Sequence, residues 1–136
     1  YVLEPSAGLG AIARRLAPLT NHLKLIELDK QKVKVLEKEF ENVLEMDFLE
    51  YRTEHNKIVM NPPFSNNQDV KHILHAYSCL KEGGELVSIA SASIKTKDTI
   101  LYKELKALNP IFYDLPDGCF KDSGTNVKAV LVKLSK

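Results

Sequence analysis

The sequence predicts an α/β fold, a seven-stranded and mostly parallel sheet with helices on both faces. Three observations predict it. Short apolar runs alternate with amphipathic stretches from one end of the chain to the other, the pattern of strand–helix–strand units around a parallel sheet. The first run leads at once into a glycine-containing loop and then a helical pattern. Acidic or asparagine residues stand at the carboxyl ends of successive apolar runs, where a parallel sheet gathers the groups that meet a ligand.

The strands are expected over residues 1–4, 23–27, 42–45, 57–60, 85–90, 111–115 and 127–134. A helix over 11–16 follows the glycine loop directly. A second over 30–40 puts Val33, Leu36 and Phe40 on one face, and a third over 70–80 does the same with Val70, Ile73, Leu74, Tyr77 and Leu80. Lys81-Glu82-Gly83-Gly84 is expected to stop that helix, since glycine at a C-terminal cap permits a left-handed turn. A fourth helix over 98–108 ends at Asn109-Pro110.

Composition bounds the function. With 136 residues, 44% hydrophobic and 27% charged, residues 1–136 are expected to form one domain with a core large enough to fold alone. No run of about 18 apolar residues occurs, and Tyr1-Val2-Leu3-Glu4 reads as a strand rather than a targeting segment, so a cytoplasmic protein without a membrane partner is expected. Cys79 and Cys119 lack the spacing of a zinc site and are expected to be reduced, structural thiols. A net charge of +1 gives no field that would by itself hold a polyanion, and the eight lysines against five acids in 91–136 are a weak basic bias.

Glu4-Pro5-Ser6-Ala7-Gly8-Leu9-Gly10 has the form of a nucleotide-cofactor loop: glycines between strand and helix let the backbone turn tightly and approach a ligand. Glu27 ends the second strand, where an acid can accept hydrogen bonds from both hydroxyls of a ribose. Asp47 follows the third strand, and its carboxylate could accept from an adenine amino group while Phe48 packs on the ring. Each acid alone reads more readily as a solvated loop residue; the recurrence of these features at successive strand ends carries the argument. A dinucleotide dehydrogenase shares the glycine loop and the ribose acid, and Ala13 in place of a third glycine is an allowed variant there, so the loop alone leaves both readings open.

Asn61-Pro62-Pro63-Phe64 separates them. It follows the apolar run 57–60, at the same sheet edge as the glycine loop. Two prolines stiffen the backbone, so that the Asn61 side-chain oxygen and the Pro62 carbonyl can point at one small target. Neither is a general base. Two acceptors without a base suit a primary amine on an aromatic ring or amide, whose two N–H groups need partners while its lone pair attacks a sulfonium methyl group. Phe64 would stack on the ring that carries the amine.

These segments, VLEPSAGLG (2–10), LIELD (25–29), EMDFLEY (45–51) and IVMNPPF (58–64), resemble the amino-methyltransferases of the class I superfamily dependent on S-adenosylmethionine (SAM). They are most similar to the adenine-N6 DNA methyltransferases of restriction-modification systems and mobile elements. The resemblance covers almost the whole chain. It implies a Rossmann-like methyltransferase fold, SAM as cofactor with S-adenosylhomocysteine as product, and a nucleic-acid partner, DNA first. It further implies that Glu4, Pro5, Ser6, Ala7, Gly8, Gly10, Glu27, Leu28, Asp47, Phe48 and Asn61 serve the cofactor, and that Asn61, Pro62, Pro63 and Phe64 serve catalysis, with Phe64 on the target base. Phe120, in the turn-rich stretch 115–127, would clamp the other face of an extruded base, or is a buried loop phenylalanine.

The tetrapeptide is specific for amine methylation rather than for DNA; RNA-base and protein-glutamine methyltransferases carry related ones. A SAM- or nucleic-acid-binding module without catalysis is the alternative from another class. No segment resembling a target-recognition domain is present, and the resemblance implies further chain before Tyr1 and recognition by a separate domain or subunit. His22, His55, His72 and His75 share no metal spacing and are expected to be solvated or satisfied on helix and loop faces. Neither cysteine has the Pro-Cys context of a cytosine-C5 methyltransferase.

Overall fold

The computed structural model describes residues 1–116 and 128–136. These residues form a seven-stranded sheet in the order β3-β2-β1-β4-β5-β7-β6. The strands are β1 (Val2–Glu4), β2 (Leu23–Glu27), β3 (Val43–Glu45), β4 (His55–Met60), β5 (Leu80–Ser91), β6 (Ile111–Asp114) and β7 (Ala129–Ser135). β1 through β5 pair in parallel, while β7 runs antiparallel to both β5 and β6. The helices are α1 (Ala11–Leu16), α2 (Lys30–Glu37), α3 (Gln68–Ser78) and α4 (Ile100–Ala107). Among the described residues no helix is long and apolar enough to cross a membrane.

Strand alternation divides the core between two faces. Leu25 of β2 packs with Ala13 of α1 and Leu36 of α2, whereas its neighbour Ile26 turns to the other face with Leu3, Ile58, Met60 and Leu86, under Val70 and Ile73 of α3 and Tyr102 of α4. Each such fully buried aliphatic side chain contributes about 1.5–3 kcal/mol relative to exposure. Helices therefore cover both faces. On the α1/α2 side the cover stops at β1: Val59, Val87, Ile89 and Leu131, which continue that face, are only partly buried among the described residues.

Several bounds differ from expectation by one or two residues, as at the starts of β4, α4 and β7, and three departures have a local cause. α2 ends at Glu37 although the apolar spacing runs to Phe40; the amide N–H groups of Glu39 and Phe40 still donate to the Leu36 carbonyl, so a tight turn keeps Phe40 against Leu36 without further helix. α3 begins at Gln68 and ends at Ser78, before Lys81-Glu82-Gly83-Gly84, which does not cap it. That glycine segment is instead a bulge within β5: Leu80 pairs with His55, but the register then jumps to Lys57 opposite Glu85. Gly83 takes φ +82° there, and a Cβ on Gly84 would sit 2.8 Å from the carbonyl oxygens of Asn56 and Lys81.

Candidate functional site

β1 and β4 lie side by side, with Leu3 opposite Ile58, and from them the chain order runs outward in opposite directions to β2 and β5. The carboxyl ends of such a pair leave a crevice between their diverging loops. Here it is a cleft of ≈ 860 Å³. Of the residues expected to serve the cofactor, Pro5, Ser6, Gly8, Glu27, Leu28, Asp47, Phe48 and Asn61 border it, and so does Pro63. Glu4, Ala7, Gly10, Pro62 and Phe64 do not. Phe120 lies outside the described residues.

The glycine loop is held by its neighbours. The Ala7 amide donates to the Ile26 carbonyl at 3.0 Å, and the Gly8 amide donates to Glu27 Oε1 at 2.8 Å. Glu27 Oε2 accepts from the Asp29 amide, also at 2.8 Å. Each Glu27 oxygen thus spends one lone pair on backbone and keeps another for a ligand donor. Gly10 has φ +93°, and a Cβ there would meet Leu36 and Phe40 at 3.2 Å, so the position requires glycine for both conformation and space. Among the described residues no atom lies within 4 Å of where a Cβ on Gly8 would stand, which leaves open room in front of that backbone. Arg14 braces the outside of the loop: it donates to the Leu9 carbonyl and makes a two-pronged pair with Glu39.

Glu4 is 1% exposed, and its Oε1 has no hydrogen-bond partner among the described residues. Burial, helped by the nearby Glu27 carboxylate and opposed by a hydrogen bond from the Ala13 backbone, pushes its carboxyl up to about 8. Asp47 Oδ1 accepts from the Leu49 amide at 2.9 Å, which fixes the carboxylate, while Oδ2 makes no hydrogen bond among the described residues. Phe48 is only 2% exposed and packs among Tyr51, His72 and His75, so its ring belongs chiefly to the core and offers the cleft little surface.

The tetrapeptide sits at the end of β4. Asn61 is exposed, Pro62 buried and Phe64 partly buried. Just beyond it, Asn66 and Asn67 take left-handed conformations, φ 55° and 60°, before α3 starts. The Asn67 side-chain oxygen accepts from the Tyr102 hydroxyl at 3.0 Å and from Lys97 Nζ at 3.2 Å, tying this turn to α4. Asp69, 1% exposed, accepts from the amides of Val70 and Ser91 and so ties α3 to the end of β5.

The cleft also includes residues to which the sequence assigned no site role: Asp29 and Lys32 at the start of α2, Met46 and Leu49 around Asp47, and Gln68, Lys71 and His72 on α3. The last three were legible as an i, i+3, i+4 set immediately after the tetrapeptide. The histidines are not uniformly solvated or satisfied as expected. His55 and His72 are buried, and each has an Nδ1 without a partner among the described residues. Burial pushes His55 down to about 4, with the amino terminus, Lys24 and Lys81 adding to it. Burial likewise lowers His72, against the opposing carboxylate of Asp47. Among the described residues no three His, Cys, Asp or Glu side chains group as a metal site.

A neutral-to-acidic cleft with free carboxylate lone pairs and open backbone suits a ligand that brings hydroxyl and amino donors and a positive charge. Residues 1–112 match the methyltransferase small domain family. Ribosomal RNA small subunit methyltransferase A of Malacoplasma penetrans is 28% identical over 137 residues, a stretch covering 88% of this chain and 50% of that protein. The chain thus spans about half the length of this curated relative. A protein described as the modification subunit of a type I restriction enzyme from Vibrio vulnificus superposes with a TM-score of 0.76 at 14% identity, over 97% of this chain and 39% of that one. An rRNA methylase from Streptococcus thermophilus superposes with a TM-score of 0.71, also at 14% identity, over 99% and 85%. At such identities the structures establish the fold, which is the Rossmann-like methyltransferase fold. The methyl donor of the family is SAM, and the Glu27 and Asp47 acceptors beside an open glycine loop fit its ribose, amino group and charge. On the match of residues 1–112, and with the fold and cleft agreeing, the chain belongs to the methyltransferase small domain family of SAM-dependent methyltransferases.

Proposed function

We propose that this chain transfers the methyl group of SAM to the exocyclic N6 amino group of adenine in DNA. The observation that carries the reading is the exposed Asn61, with its two following prolines, at the rim of the cleft that also holds Glu27 and Asp47. In this reading Glu27 accepts from the ribose hydroxyls with the lone pairs its backbone partners leave, and Asp47 Oδ2 accepts from the adenine amino group of the cofactor. Pro5, Ser6, Gly8 and Leu28 enclose the nucleoside. Glu4, Ala7 and Gly10 act behind them by shaping the loop, and Phe48 supports it from the core.

When bound, SAM supplies an electrophilic methyl group on a sulfonium sulfur. Asn61 Oδ1 and the Pro62 carbonyl accept the two N–H groups of the target amine and turn its lone pair toward that methyl. Transfer would break the S–C bond as the N–C bond forms and leave S-adenosylhomocysteine, with the extra proton of the amine passing to solvent. Positioning supplies the rate, since neither acceptor is a base. The target base must leave a duplex to reach the cleft, with Phe64 against one face. A second reading, an adenine of RNA, is favoured by the 28% identical relative, whose name is that of a ribosomal RNA methyltransferase. Labelled SAM offered with unmethylated DNA, RNA and protein pools decides between them. N6-methyldeoxyadenosine supports the first reading and N6-methyladenosine the second. Label in protein, or none in any pool despite SAM binding, refutes both.

A further inference from the structure

α3 divides its side chains. Val70, Ile73 and Ala76 enter the core, whereas Gln68, Lys71 and His72 border the cleft. His72 is the enclosed member of that set, 8% exposed, with its ring 5.9 Å from that of Phe48. It differs from the other histidines near it. His75, one turn on, has Nε2 2.7 Å from the Tyr51 carbonyl oxygen, and His55 Nε2 lies 2.8 Å from the Tyr51 hydroxyl. The His72 ring makes no hydrogen bond among the described residues, and its Nδ1 is closed off from solvent. A polar ring enclosed without a partner is unfavourable unless something else completes it.

Burial keeps this imidazole neutral near pH 7, with one nitrogen a donor and the other an acceptor. An N–H at Nδ1 would face no acceptor among the described residues, so the proton belongs on Nε2. We propose that His72 contacts the cofactor, its Nε2–H donating to a ring nitrogen of the adenine whose amino group Asp47 accepts. This rests on the SAM reading of the cleft. The chemistry is complementary: among the described residues Asp47 Oδ2 is an acceptor without a partner and His72 offers a donor without one, and aminopurines present an amino donor beside ring-nitrogen acceptors. The pair would select an aminopurine over an oxopurine, which reverses that donor–acceptor order.

The test measures binding of S-adenosylhomocysteine by calorimetry, so it needs no methyl acceptor. His72→Phe keeps an aromatic ring against Phe48 and removes both nitrogens; affinity should fall about tenfold, the effect of one enclosed hydrogen bond. His72→Gln places an amide N–H near the Nε2 position and should stay within about threefold of the unmodified chain. Among analogues with N1, N3 or N7 of the adenine replaced by CH, one should bind about tenfold more weakly to the unmodified chain yet show no further loss with His72→Phe. A purely structural histidine would lower the melting temperature of both variants and leave these ratios alone. Affinity unchanged in His72→Phe, or analogue losses that simply add to it, overturns the proposal. If His72→Phe does not fold, the analogues on the unmodified chain and on His72→Gln remain, and equal binding of all three to the unmodified chain overturns it. If the unmodified chain binds no S-adenosylhomocysteine at all, the reading of the cleft itself fails first, and the role of His72 with it.

Discussion

Replacing Glu4 by Gln should remove a pH dependence of stability that the buried carboxyl creates. Glu4 is 1% exposed, and its pKa is raised from 4.5 to about 8, chiefly by burial. Below about pH 4.5 folded and unfolded chains both hold the proton. Between there and about pH 8 the unfolded chain releases it while the folded one keeps it, so the stabilisation present at low pH is lost as pH rises through the folded value. At about 1.4 kcal/mol per pH unit the full displacement amounts to about 5 kcal/mol, an upper figure. Gln fills nearly the same volume and carries no charge at any pH. Urea melts of both proteins at about pH 5 and about pH 8.5 isolate the effect, because every other titrating group cancels in the difference. The unmodified chain should lose several kcal/mol relative to Glu4→Gln between the two conditions, or on the order of 10 °C in melting temperature. An equal stability difference at both pH values would refute the reasoning, and Glu4 would then ionise like a solvated acid.

Asn61→Ala should leave the dissociation constant for S-adenosylhomocysteine within about threefold while methyl transfer falls at least about a hundredfold, since Asn61 is exposed and its side chain makes no hydrogen bond among the described residues; parallel calorimetry and label incorporation check it. Gly10→Ala puts a Cβ 3.2 Å from Leu36 and Phe40 at φ +93° and should destabilise the fold by about 1–3 kcal/mol in urea melts while weakening cofactor binding. Asp69→Ala strips the Ser91 amide of its acceptor inside the structure and should cost about 2–4 kcal/mol, with Asp69→Asn recovering part of it by the same assay.

The parts legible in the sequence were those governed by neighbours in the chain. α1 and β2 have the bounds their patterns predict, because a glycine loop and a five-residue apolar run are local signals. Lys81-Glu82-Gly83-Gly84 was ambiguous in principle: two glycines suit a helix cap and a strand bulge equally, and the choice belongs to β4, which pairs with Leu80 on one side of the segment and Glu85 on the other. The place of β7 is a long-range matter that no window of sequence contains. In the site, Glu27 and Asp47 were visible as acids at strand ends, but not that Glu27 would hold the amides of Gly8 and Asp29. Phe48 read as a cofactor-facing aromatic, whereas α3 folds over it and draws it into the core. Gln68, Lys71 and His72 show an i, i+3, i+4 spacing, but the apolar spacing on the opposite side of α3 is the stronger signal, and neither says what the polar side meets.

β7 follows β6 along the chain yet lies between β6 and β5 in the sheet. During synthesis the outer edge of β5 must wait, unpaired, for roughly 40 residues of further chain, a few seconds at about 5–20 residues per second. Val87, Ile89 and their neighbours meanwhile present an open template to other nascent chains. β6 is made before β7, its neighbour in the sheet among the described residues, and cannot pair with it until β7 arrives. Insertion of β7 therefore completes the sheet of the described residues, and substitutions in Ala129–Ser135 should act on the yield of soluble protein in a growing cell more than on the chemistry of the molecules that escape aggregation.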